Sequence, residues 1–202
     1  KAIAILSEME PQDAGRILKN MSRTRRDVII ELLDSDLRKK IARIYAYGEE
    51  EIGSVMSTDF IEIRKNSSIK EAMRSLRDQT RQSNTDNISV LYVVDENGLY
   101  YGAIHIQDLF ASSADENLEE IIELNFPIVY ASETIDSIMD DLKDYAEDSI
   151  PVLSNDNQIE GIITKQDLLE VFDKEMSEDY ARLAGLAAEE DLQESLFASL
   201  KK

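Results

Sequence analysis

Residues 89–109 read SVLYVVDENGLYYGAIHIQDL, and residues 149–168 read SIPVLSNDNQIEGIITKQDL. In each stretch an apolar strand enters a polar turn, a second strand carries a glycine, and Asp-Leu opens a helix. Gly102 aligns with Gly161, Asp108 with Asp167 and Leu109 with Leu168. Upstream, FIEIRKNSSIKEAM (60–73) corresponds to PIVYASETIDSIM (127–139). The first copy is the longer, by an insertion within the polar stretch Arg77–Asn87. Self-similarity fixes architecture before any local propensity does. It predicts two copies of one β-α-β-β-α unit, packed face to face.

Working outward, residues 2–47 carry apolar side chains at helical spacing in Ile3–Met9, Ala14–Met21, Val28–Leu33 and Leu37–Tyr45. Pro11 suits the first turn of the second helix. Ser22 or Thr24 can cap the third, and Asp34 or Ser35 the fourth. Short helices with short joints predict a helical hairpin array. Strands are expected at Ile61–Ile63, Ile88–Val94 and Tyr101–Ile104, with helices at Ile69–Gln79 and Gln107–Ala111. In the second copy the strands are Ile128–Tyr130, Ile150–Leu153 and Ile159–Ile163, and the helices Ile135–Tyr145 and Gln166–Asp173. The fold class is α+β. The expected domains are a helical region (1–50), two repeats (51–114 and 115–174) and an acidic C-terminal helix (175–202). In that last helix Gly185 weakens the run by about 1 kcal/mol relative to Ala. Leu192, Leu196 and Leu200 then form an apolar stripe. The chain starts with Lys in what reads as the interior of a helix, as a piece of a longer protein would.

The chain has 202 residues and a net charge of −20. The charge is segregated: +1 over residues 1–50, −3 over 51–114 and −18 over 115–202. Phosphates would be repelled, so nucleic acid is disfavoured and multivalent cations are the natural counter-ligand. With no cysteine, disulfides and thiolate metal sites are excluded. No apolar run is long enough to span a membrane, and no segment has the form of a signal peptide.

Enzyme signatures are missing. The single histidine, His105, stands where the second copy has Thr164, and no nucleophile is in a recognisable relation to it. Neither P-loop nor dinucleotide fingerprint occurs. DENG and SNDN do not continue to the glycine and distal Glu of a calcium loop, and read as hairpin turns. GIITKQDL places a hydroxyl (Thr164) and a carboxylate (Asp167) three residues apart at a strand-to-helix junction. Such a pair can hold a ribose diol. It can equally cap the helix, with Thr164 accepting from first-turn N–H groups and Asp167 at the positive end of the dipole.

The other signal is the series Asp167, Glu170, Asp173, Glu175, Glu178 and Asp179, with pairs at i+3 and i+4. Like charges ~8 Å apart repel by roughly 2 kcal/mol at an effective dielectric of ~20, so clustering calls for a compensating cation. Mg2+ keeps several waters and takes one or two carboxylates, and so can bridge acidic faces without a dedicated cage.

The duplicated unit resembles a pair of CBS motifs, a Bateman module. Its order behind a helical region, with LAG near the end, resembles the cytosolic region of MgtE-type magnesium transporters. The stretches EMEPQDAGRIL, EEEIGSVMSTDF, LYVVDENG and ITKQDLLEVFDKEMSEDYARLAG carry the resemblance. It implies a homodimer at the cytoplasmic face of the membrane, non-enzymatic, sensing Mg2+ and gating a C-terminal transmembrane domain of the same chain. It also implies metal-binding roles for Asp167, Glu170, Glu175, Glu178 and Asp179, for Asp136 more weakly, and for Glu10 and Asp13. These are expected to place Glu10 or Asp13 near Asp167 or Glu170, and Glu175, Glu178 or Asp179 near the dimer axis. Gln12 and Arg16 replace acids of the family pattern, Ala146 stands where some relatives have Asp, and the helical region is short for the family. The alternative is an adenine-nucleotide sensor, binding ATP or AMP through Thr164 and Asp167.

Overall fold

A computed structural model describes residues 2–9, 11–81, 88–114, 116–138, 147–167 and 169. The chain divides into two compact units, residues 1–165 and 166–202. Four helices open the first: α1 (Ala2–Leu6), α2 (Pro11–Lys19), α3 (Arg23–Leu32) and α4 (Ser35–Tyr45). They close on Leu6, Ala14, Leu18, Leu33, Leu37 and Ile41. Pro11 begins α2 as expected, where its missing N–H costs nothing. Asp34 caps α4, its Oδ1 accepting from the Asp36 and Leu37 amides at 2.9 Å each. Those bonds, with Leu37's the largest contribution, hold its carboxyl below the usual range. Ser22 takes the N-cap place of α3 with extended backbone but makes no side-chain cap bond, and Thr24 lies inside the helix.

The two repeats follow as two three-stranded sheets. The first is β1 (Glu62–Arg64), α5 (Ile69–Thr80), β2 (Val90–Val94), β3 (Tyr100–His105) and α6 (Ile106–Ala111). The second has β4 (Val129–Tyr130), β5 (Ser149–Leu153) and β6 (Ile159–Thr164). Sheet orders are β1-β2-β3 and β4-β5-β6, each with one parallel and one antiparallel pairing. Residues 135–138 are helical; the rest of that expected helix, and residues 170–173 of the next, lie outside the described residues. Helix α5 starts with a reciprocal capping box between Ser68 and Glu71. Strand ends differ from the sequence reading by one or two residues. Ile61 and Ile88 are buried or half-buried lead-ins, hydrophobic without being strand.

The copies agree in detail. Both hairpins shift register at the same place, between Val93 and Val94 and between Val152 and Leu153. Both turns close through matching bonds, Asp95 N–H to Leu99 O (2.9 Å) and Ser154 N–H to Gln158 O (2.8 Å). The left-handed position falls on Gly98 (φ +79°) in one and Asn157 (φ +61°) in the other, the two residue types that tolerate it.

The sheets share a core of Val90, Tyr92, Val94, Leu153, Ile159 and Ile162 with Phe126. Phe60 and Phe126 both meet the Tyr92 ring edge-on, at centroid distances of 6.3 and 6.4 Å. This is the face-to-face packing that the duplication predicted.

Candidate functional site

The geometry of the pair comes from a reciprocal exchange. The segment leading into the first repeat pairs with the second: Ser57 bridges Ile162, with N–H to O distances of 2.8 Å both ways. The segment leading into the second repeat pairs with the first: Glu123 bridges Ala103, at 2.8 and 3.0 Å. A Cβ on Gly161 would lie 2.4 Å from the Ser57 carbonyl, and one on Gly102 would lie 2.7 Å from that of Glu123. The glycine of each motif is therefore required by a crossing chain.

Past these crossings, the last strand of each sheet ends on a polar side chain. In the first repeat this is His105. Its Nε2 lies 3.6 Å from Glu123 and 3.6 Å from Glu147, and its ring stacks edge-on against Phe126. The imidazole thus ties the first repeat to two segments of the second, which is a structural role. Nearby, the Tyr100 hydroxyl is buried without a hydrogen-bond partner among the described residues. Burial, and then the charge of Glu123, push that phenol well above its ordinary range. Asp108, Glu116, Glu120 and Glu123 line an open cavity of about 460 Å³ beside α6. Sequence reading missed it, because these acids follow no regular spacing and face one cavity only when the chain after α6 turns back to cross β3 at Ala103.

In the second repeat the corresponding position is Thr164, half-buried at the end of β6 and paired in register with Ser149. Asp167, also half-buried, belongs to the second compact unit. Of the other expected metal residues, Asp136 is exposed and Asp13 is half-buried. Asp13 is engaged by Arg16, one turn along the same helix. Glu10, Glu170, Glu175, Glu178 and Asp179 lie outside the described residues. Among the described residues, no three acidic or histidine side chains form a metal-holding group.

The helical region is joined to the repeats by opposite charges that sequence reading did not find. Lys40 Nζ lies 2.6 Å from Asp59 Oδ1, just after the Ser57 crossing. Arg43 Nε lies 3.2 Å from Glu160 Oε2, and its Nη1 donates to the Glu160 carbonyl at 3.2 Å. Both acids belong to the repeats and both bases to α4. No residue spacing announces such pairs, since one spans 19 positions and the other 117.

A family model described as CBS domain matches residues 52–115 and 116–174. The magnesium transporter MgtE of Enterococcus faecalis is 29% identical over 163 residues, covering 81% of this chain and 36% of that protein. The chain spans about a third of the length of the curated relatives it matches. A crystal structure of the soluble part of a magnesium transporter superposes with a TM-score of 0.78 at 27% identity, covering 86% of this chain and 67% of that one. The cytosolic domain of the Mg2+ channel MgtE in complex with ATP gives 0.77 at 25% identity, covering 84% and 68%. Among the described residues, no helix is long and apolar enough to cross a membrane.

Proposed function

This chain belongs to the CBS domain family, and from that premise we propose that it is the magnesium-sensing regulatory part of a magnesium transporter and not an enzyme. One observation carries the reading. The likeness to the soluble part of a magnesium transporter takes in helical region and repeats together, over 86% of the chain. A CBS pair alone would serve many proteins; this combination is narrower. The net charge of −18 over residues 115–202 supports it independently.

Mg2+ would be held as a hydrated ion, through one or two carboxylates at a time. Asp136 and Asp167 suit that mode, as do Glu170, Glu175, Glu178 and Asp179, and Glu10 and Asp13 from the helical region. Asp13 would have to exchange its Arg16 partner for the ion. The protein would work as a homodimer at the cytoplasmic face of the membrane, with a transmembrane domain following in the same chain. A ligand shifts such an arrangement only through differential affinity for its states.

A second reading is adenine-nucleotide sensing, favoured by the similar cytosolic domain solved with ATP. Thr164 and Asp167 would contact the ribose. Titration calorimetry with MgCl2, and separately with ATP and AMP, separates the two readings. Saturable heat from Mg2+ that survives Thr164→Ala supports the first. Heat from nucleotide alone, lost in Thr164→Ala, replaces it with the second.

A further inference from the structure

Between α3 and α4 lies an open cavity of about 400 Å³, in the range that takes small ligands. Ile30, Ile41, Ala42 and the Tyr45 ring give it apolar walls, and its charged groups are Arg26 and Arg38. Of the 42 Asp and Glu in the chain, none among the described residues lines it. Arg26 pairs with the adjacent Asp27, exposed and 3.8 Å away. The wall is fixed in place. Tyr45 donates its hydroxyl to the Gly15 carbonyl at 3.0 Å, and Lys19 and Arg26 approach its ring at 5.6 and 5.9 Å. Arg38 donates to the Glu31 and Leu33 carbonyls at 2.8 and 2.9 Å, which anchors its guanidinium at the end of α3.

We infer that this cavity binds a small organic anion, a phosphate or carboxylate carried on a ring-sized apolar body. A guanidinium presents a planar fork that matches either group with two parallel bonds. Lys19 and Arg26 approach the Tyr45 ring and Arg38 lines the same cavity, so an incoming anion meets attraction and competes for Arg26 with the exposed Asp27. The apolar walls select against a bare inorganic ion, which would lose water there and gain nothing in return. This site uses none of the residues of the magnesium reading, nor Thr164, and stands or falls apart from both.

Phenyl phosphate is the probe, with inorganic phosphate and phenol as its two halves, titrated calorimetrically into the whole chain. The expected result is saturable binding of phenyl phosphate, at least about tenfold tighter than either half. Arg26→Gln lowers that affinity about tenfold or more, Arg26→Lys falls between, and Thr164→Ala leaves it unchanged. Absence of saturable heat in the wild-type chain overturns the inference, without recourse to any variant. So does an affinity unaltered by Arg26→Gln, or one abolished by Thr164→Ala.

Discussion

The hydroxyls of Tyr92 and Ser149 lie 2.7 Å apart inside the interface between the two repeats, 57 residues distant in sequence. Tyr92 is 1% exposed and Ser149 8%. Each is the other's means of burying a polar group, so removing one strands its partner.

Tyr92→Phe and Ser149→Ala should each destabilise the chain by about 1–3 kcal/mol, the cost of a buried hydroxyl left unpaired. The double variant should cost less than the sum, since neither orphan then remains. Denaturant melts of the four-member cycle measure this; strict additivity would mean that the bond does not couple the repeats.

The crossing chains set a second expectation. Gly161→Ala and Gly102→Ala bring a methyl against backbone carbonyls and should each cost about 1–3 kcal/mol. Gly98→Ala meets nothing within 4 Å and strains only its positive φ, costing about 1 kcal/mol. Thermal melts that rank Gly98→Ala as the most damaging of the three would contradict the exchange as the reason for the motif glycines.

The repeats were legible in the sequence because the same strand, turn and strand chemistry is written twice; the matching register shift after Val93 and Val152 emerged only in the structure. The helices were legible from apolar spacing, Pro11 and Asp34. The exchange was hidden, since Ser57 and Glu123 pair through backbone atoms and any side chain would serve. The Lys40–Asp59 and Arg43–Glu160 pairs were hidden too, because charges on helix surfaces have many possible partners until the fold brings one near. Of the expected metal carboxylates, the described residues leave Asp136 exposed and Asp13 with Arg16, and supply no cage; a ligand set made of carboxylates from different segments has no spacing to read.

Stability should decline on both sides of neutral pH. Burial favours the neutral Lys40 amine, but its hydrogen bond to Asp59, with the charges of Asp59 and Asp36, outweighs this and holds the ammonium above its ordinary 10.5. Its stabilisation is present below that value and is lost as pH rises through the folded one. Burial keeps the Tyr92 phenol neutral well above its ordinary 10.0, so the unfolded chain ionises first and stability falls further. Asp34, Glu71 and Asp95 are held low mainly by backbone N–H groups. Their contribution is present above the usual carboxylate range and is lost as pH falls below that range through their lowered folded values. Melting temperature against pH should be a plateau with two falling limbs, and Tyr92→Phe should flatten the alkaline one. An alkaline limb identical in that variant would contradict the assignment to Tyr92.

Two-fold association is expected because an isologous interface buries the same patch on both subunits. Light scattering at micromolar concentration should give about twice the 22.9 kDa of one chain. A mass of one chain across that range would remove the dimer from the proposed mechanism.

The most direct measurement is the melting temperature of this chain in millimolar MgCl2, set against KCl of matched ionic strength. Ordinary screening acts on exposed charge whatever the ion, whereas a bound ion adds stabilisation by mass action. The account predicts a clearly larger rise in MgCl2, reduced when Asp167 and Glu170 are both neutralised as Asp167→Asn and Glu170→Gln. Equal shifts in the two salts would contradict it.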